Sequence, residues 1–225
     1  MKISSRGFSL VELLTVVSII SILAALLFPV FSSAKNSAKK VQCMSNMKQL
    51  GIGMRLYADD NDGGMPESMH TTFGNRQRAW VNQLSPYVKV NEIRICPADP
   101  KGKERVRVGG TSYVMNGWLT DPPGEYTRRL DSLPYPSETI LLFIISDDKN
   151  PRAFDDHVHS YSWFTNTTTE SILNEMQSEI HLNRFGEIPQ SSSNYLYCDT
   201  HVKSHSYSKI RGWVEERFDF SSIKE

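Results

Sequence analysis

Hydrophobic and polar positions divide this chain into stretches with different periods. From Phe8 to Phe28 the pattern is almost continuously apolar, with thirteen Leu, Ile, Val and Phe residues between Leu10 and Phe28. As a helix this run would measure about 31 Å, roughly the hydrocarbon thickness of a bilayer. At about −0.3 to −0.6 kcal/mol each, those side chains contribute roughly −4 to −8 kcal/mol to insertion. An acid at the centre of a span costs about +3 kcal/mol and one near its end costs less, so insertion wins despite Glu12. Pro29 removes one helical hydrogen bond and predicts a kink or local melting over residues 25–29.

Beyond Phe31 the period changes. Cys43, Met47, Leu50, Met54 and Tyr57 recur at spacings of four, three, four and three, a single apolar stripe on a helix. Lys39, Lys40, Lys48 and Arg55 fall largely off it, and Gly63, Gly64 and Pro66 stop it. The stripe is expected to dock on a globular head. Gly51 and Gly53 each weaken a helix by about 1 kcal/mol against alanine, which points to close packing there.

In the head, "RAWVNQLSPYV" predicts a short helix that packs Trp80 and Leu84, and "TSYVMNGW" predicts a strand. "ETILLFIIS" is nearly continuous and β-branched, the pattern of a central strand buried on both sides or under the long helix. "TTTESILNEMQSEIH" predicts a helix with Thr167 and Glu170 as capping box and Ile172, Leu173, Met176 and Ile180 as its apolar face. "NYLYCDTHVKSHSY" predicts a hairpin turning at Asp199-Thr200. The stretches around "DPPGEY" and "DDKNPRAFDD" read as polar loops. The fold class expected is α+β: a long N-terminal helix packed on a small antiparallel-sheet head. The expected divisions are 1–7 as a leader, 8–30 as a transmembrane helix, 31–59 as its amphipathic continuation and 60–225 as the head.

Charge and cysteine usage narrow the function. Lys plus Arg equal Asp plus Glu at 25 each, so no basic field argues for nucleic acid. The three cysteines, Cys43, Cys96 and Cys198, form no CxxC pair for zinc or redox work. Lys2 and Arg6 precede the apolar run, which places the N-terminus on the cytoplasmic side and the rest outside. Three readings of the run compete: a cleaved secretory signal with Ser32 and Ala34 at its cleavage site, a plain anchor, and a span whose acid Glu12 has a partner and a function.

The residues "RGFSLVELL" resemble the processing site of type IV prepilins and type II secretion pseudopilins. The resemblance implies cleavage between Gly7 and Phe8 by a prepilin peptidase, methylation of the new Phe8 amine, and an assembly role for Glu12, the fifth residue of the processed chain. In a filament that carboxylate would pair with the amine of a neighbouring subunit; an unpaired buried charge costs several kcal/mol, so such a pair selects register. "CMSNMKQLGIGMRLYADD", "ICPAD", "TSYVMN", "ETILLFIISD" and "NYLYCDTHVK" further resemble, in order, landmarks of a pseudopilin-like family with a C-terminal His-x9-Asp-Gly signature. Two departures stand out: seventeen residues separate His181 from Asp199, and Thr200 replaces the glycine. Glycine gives positive φ freely and threonine resists it, so the turn is expected to differ in type. Cys43 and Cys96 lie within two landmarks. A disulfide between them, worth roughly 4 kcal/mol in the chain-entropy model, stands beside the alternative of two buried thiols.

Other chemistry is thinly signalled. Asp155, Asp156, His157 and His159 in "DDHVHS" include a His-x-His pair that can serve metal, against the alternative of an exposed polar loop. Asp60 and Asp62 before Gly63 echo a calcium loop but lack its closing glutamate, and helix-end turn chemistry is the competing account. Calcium is therefore conceivable and unsupported, and no cofactor is expected. No GxSxG, HExxH or phosphate-binding glycine loop occurs. The expectation is a non-enzymatic pseudopilin or minor pilin-like subunit in the bacterial inner membrane, its filament in the periplasm or at the cell surface. Its expected partners are prepilin peptidase, other pilin or pseudopilin subunits, an inner-membrane assembly platform and the lipid bilayer. The alternative is an extracytoplasmic binding or enzymatic domain that uses the helix as a tether.

Overall fold

The computed structural model describes residues 7, 9–69, 74–120, 129–145, 149–152, 154–165 and 191–223. The chain divides into two compact units between Ala38 and Lys39. That boundary falls inside the first helix, α1, Leu10–Asp60.

In the first unit, the side chains from Leu10 to Phe31 are exposed apart from a half-buried Ala24. Helical structure continues through Pro29 without interruption, so the local melting expected there does not occur. A proline removes one N–H while the neighbouring hydrogen bonds of a long helix survive, and membrane helices commonly tolerate this. Three hydroxyls along the apolar run turn back on the helix. Thr15, Ser18 and Ser21 donate to the carbonyls of Val11, Leu14 and Val17, each at 2.8 Å, and so carry no unsatisfied donor into an apolar medium.

The second unit is built around a five-stranded sheet, in the order β3-β1-β2-β4-β5. The strands are β1 Tyr113–Asn116, β2 Ile140–Ile144, β3 His157–Val158, β4 Ser192–Tyr197 and β5 Val202–Ser206. Four of them run as antiparallel neighbours, but β3 pairs parallel with β1, His157 lying opposite Met115. The sheet is thus mixed, and part of the stretch expected as a polar loop is an edge strand. The expected helix from Thr167 to His181, with its capping pair and apolar face, lies outside the described residues.

β2 is central and buried at every position, as its continuous apolar run demands. Alternation distributes its side chains between two cores. Leu142 and Ile144 join Tyr113, Met115 and Leu196 on one face, where the α1 stripe Cys43, Met47, Leu50 and Met54 is fully buried. Phe143 and Ile145 join Val114, Tyr195 and Tyr197 on the other face, covered by α5, Tyr207–Glu215, through Tyr207, Ile210 and Val214. A register irregularity between Ile140 and Leu142 explains why Leu141 and Leu142 enter the same core. The second half of α1 therefore belongs to the head, forming one layer of a helix–sheet–helix sandwich.

Close approach accounts for both helix glycines. A Cβ on Gly51 would stand 2.9 Å from Leu196 Cδ1, and one on Gly53 would stand 2.5 Å from Val88 Cγ2. Short elements connect the layers: α2 Trp80–Gln83, α3 Gly102–Arg107 and α4 Gly117–Thr120. Trp80 and Leu84 are buried in the α1-side core, as their pattern predicts.

Two buried polar clusters pin the loops to this frame. The Asp99 carboxylate accepts from Arg105 Nε at 2.9 Å, Ser112 Oγ at 2.6 Å and the Lys101 amide at 2.8 Å. At the end of β1, Asn116 Nδ2 donates to the carbonyls of Ile140 and Ser221, both at 2.7 Å, while its Oδ1 accepts from Ser160 Oγ and the Trp118 amide. Removing one member of a buried ion pair leaves the other charge without its counterion. Asp99→Ala is therefore expected to destabilise the head by about 3–5 kcal/mol, measured as a lowered denaturant midpoint in equilibrium unfolding.

Candidate assembly site at the start of the long helix

The first turn of α1 carries a reciprocal cap. The Glu12 amide donates to Ser9 Oγ at 3.2 Å, while Glu12 Oε2 accepts from the Ser9 amide at 2.9 Å and from Ser9 Oγ at 2.8 Å. This is a capping box, with Ser9 at the N-cap and Glu12 three residues on, and it satisfies donors that every helix start leaves open. Ser9 is the residue that the sequence reading missed. Its signal, Ser-x-x-Glu before an apolar run, is present in "SLVE". Gly7 is exposed just ahead of the helix, and Phe8 lies outside the described residues. Carboxylate and cap are thus set at the threshold of an apolar surface that is exposed among the described residues.

A model of the prokaryotic N-terminal methylation motif matches residues 3–28. The chain is 32% identical over 125 residues to the type II secretion system core protein G of Escherichia coli (strain K12), covering 53% of this chain and 83% of that protein. The chain belongs to the type IV pilin and type II secretion pseudopilin family. It is also 36% identical over 127 residues to the type IV major pilin protein PilA of Myxococcus xanthus (strain DK1622), covering 52% of this chain and 56% of that protein. No solved structure matches the chain significantly. The long apolar helix followed by a small sheet head with helices is a pilin-like α+β arrangement, and the apolar helix makes this pseudopilin-like chain a membrane-anchored protein.

The other candidate residues have defined places in the head. Cys43 and Cys96 are both buried in the α1-side core. Cys43 Sγ lies 3.5 Å from Tyr113 Oη. Burial pushes the Tyr113 phenol well above its usual range, and the two neighbouring thiols add to that push. Cys198 is likewise a buried thiol, and its pKa is raised by burial.

Asp60 accepts from the Tyr87 hydroxyl at 2.9 Å. Asp62 takes left-handed φ of 52° beside Gly63 at 79°, where the Gly63 amide bonds back to the Ala58 carbonyl at 2.8 Å. Both thus serve the end of α1. His157 Nδ1 is 2.8 Å from Asp156 Oδ1, and the His157 and His159 rings meet edge to face at 4.9 Å. Asp156 itself is structural: its Oδ2 accepts the Met69 amide at 2.8 Å and its carbonyl accepts Trp80 Nε1 at 2.6 Å. Among the described residues, no three His, Cys, Asp or Glu side chains converge as metal ligands. Asp155 lines a shallow pocket with His157 and His159.

The β4–β5 turn resolves the Thr200 departure, although His181 lies outside the described residues. The expected two-residue turn is a three-residue loop, Cys198-Asp199-Thr200. It is closed by Thr200 N–H to the Tyr197 carbonyl and by Tyr197 N–H to the His201 carbonyl, each 2.9 Å. Such loops place their last residue in the left-handed region, and Thr200 adopts φ of 75°. Lys48 Nζ donates to its Oγ1 at 2.8 Å. A β-branched residue in that region costs about 1–2 kcal/mol, partly offset by the lysine contact. Thr200→Gly is expected to raise stability by about 0.5–1 kcal/mol, seen as a higher unfolding midpoint.

Proposed function

We propose that the chain is a pseudopilin or minor pilin-like structural subunit, cut between Gly7 and Phe8, that enters a helical filament through its apolar N-terminal helix. The observation that carries this reading is the capped carboxylate at the edge of the exposed apolar run of α1. Cleavage after Gly7 would leave a cationic amine on Phe8, four residues ahead of Glu12 in the sequence. Ser9 engages Oε2 of Glu12. A carboxylate has about four acceptor sites, so the group retains capacity for the amine of a neighbouring subunit. The head works by packing and carries no catalytic role. In this reading the basic residues Lys2 and Arg6 keep the N-terminus in the cytoplasm, with the head outside. Prepilin peptidase, other pilin-like subunits and an inner-membrane assembly platform are the partners of this reading.

Glu12→Gln separates charge from cap, because an amide oxygen still closes a capping box. The variant is expected to accumulate in the membrane at the normal level and to lose filament assembly, scored by shearing and electron microscopy of cells. Normal assembly by Glu12→Gln would sink the proposal. Mass analysis of the native protein should find a chain that begins at Phe8 with one added methyl group. A chain that still begins at Met1, or one trimmed to begin near Lys35, contradicts it.

A further inference from the structure

A cleft of about 200 Å³ opens on the α5 side of the sheet, lined in part by Tyr197, His201, Lys203, Lys209, Trp213 and Phe220. Its wall is a continuous series of rings. His201 stacks on Tyr197 at 4.2 Å, His205 meets Trp213 at 5.1 Å, and Trp213 stacks on Phe220 at 5.4 Å and 28°. Tyr197 Oη lies 2.8 Å from His205 Nε2, so the polar atoms at the back of the cleft are tied together. Lys209 Nζ stands 4.8 Å from the centre of the Trp213 ring.

The electrostatics point to the sign of a ligand. Among the described residues, neither Lys203 nor Lys209 forms an ion pair with a carboxylate. Glu138 also lines the cleft and opposes two ammonium groups. The buried His205 reports the balance: burial lowers its pKa to about 4, and Lys209, Lys203 and His201 all push in the same direction. Two ammonium groups against one carboxylate among the lining side chains favour an anionic ligand over a cationic one. The cleft is smaller than the roughly 300–1,000 Å³ of drug-sized sites, so it suits a single ring.

We propose that this cleft binds a carboxylate borne on one six-membered ring, with the ring against Trp213 and Phe220 and the carboxylate between Lys203 and Lys209. Acidic sugars and aromatic acids share that chemistry. The site is independent of the filament reading, since no residue of it lies on α1.

The test is calorimetric titration of the full chain in detergent micelles with D-galacturonate and with benzoate. Methyl galactoside serves as the neutral ring and acetate as the ringless carboxylate. Saturable binding of galacturonate identifies an acidic sugar site, and saturable binding of benzoate alone identifies an aromatic acid site; either supports the proposal. Lys203→Gln and Lys209→Gln are expected to weaken binding about tenfold each, the usual scale for losing one charge-assisted hydrogen bond. Both lysines are exposed, so the fold should survive, and unchanged near-ultraviolet circular dichroism checks this. Absence of binding by both ring acids overturns the proposal. So does acetate binding as tightly as they do, or unchanged affinity in both lysine variants.

Discussion

Removal of apolar surface from water governs both halves of α1, with opposite solutions. In the second half, Cys43, Met47, Leu50 and Met54 are withdrawn into the head's own core. In the first half, residues from Leu10 to Phe31 present large apolar side chains on every side. Each such side chain contributes about 1.5–3 kcal/mol when fully withdrawn from water. A run of them therefore exceeds the 5–15 kcal/mol by which a domain is ordinarily stable. Such a surface requires lipid or other protein around it, which is the physical content of a membrane anchor.

Polar groups are accommodated within that constraint. At the threshold of the apolar run Ser9 and Glu12 satisfy each other, and further along Thr15, Ser18 and Ser21 donate to the preceding turn. Inside the head, Asp99 and Asn116 each gather several donors or acceptors and hold loops against the sheet. A carboxylate or amide buried with its partners costs little; the same group without them would be among the most expensive features of the fold.

The head separates its two faces by function of packing. One face takes the α1 stripe at distances that exclude a Cβ on Gly51 and Gly53. The opposite face is closed by α5 and the C-terminal aromatic residues, which leave a ring-lined cleft between them. The second half of α1 thus packs on one side of the sheet while the other side keeps a concave, chemically distinctive surface.

Periodicity carried most of the fold. The apolar run, the 4-3-4-3 stripe and the continuous "TILLFIIS" strand each encode their environment within a short window, because a helix or strand repeats its exposure at a set interval. The processing motif and Glu12 were readable for the same reason, being contiguous. Ser9 was readable too and was overlooked beside the acid. What the window could not contain was decided by the path of the chain. The parallel pairing of His157 with Met115, the left-handed turn at Thr200 and the placing of both Cys43 and Cys96 beside Tyr113 depend on segments far apart in sequence. So does the cleft, where Glu138, Lys203 and Phe220 meet only after the sheet has formed. Local sequence sets which surfaces must leave water; only tertiary packing sets which surfaces meet, because that choice is made by shape and contact across the whole chain.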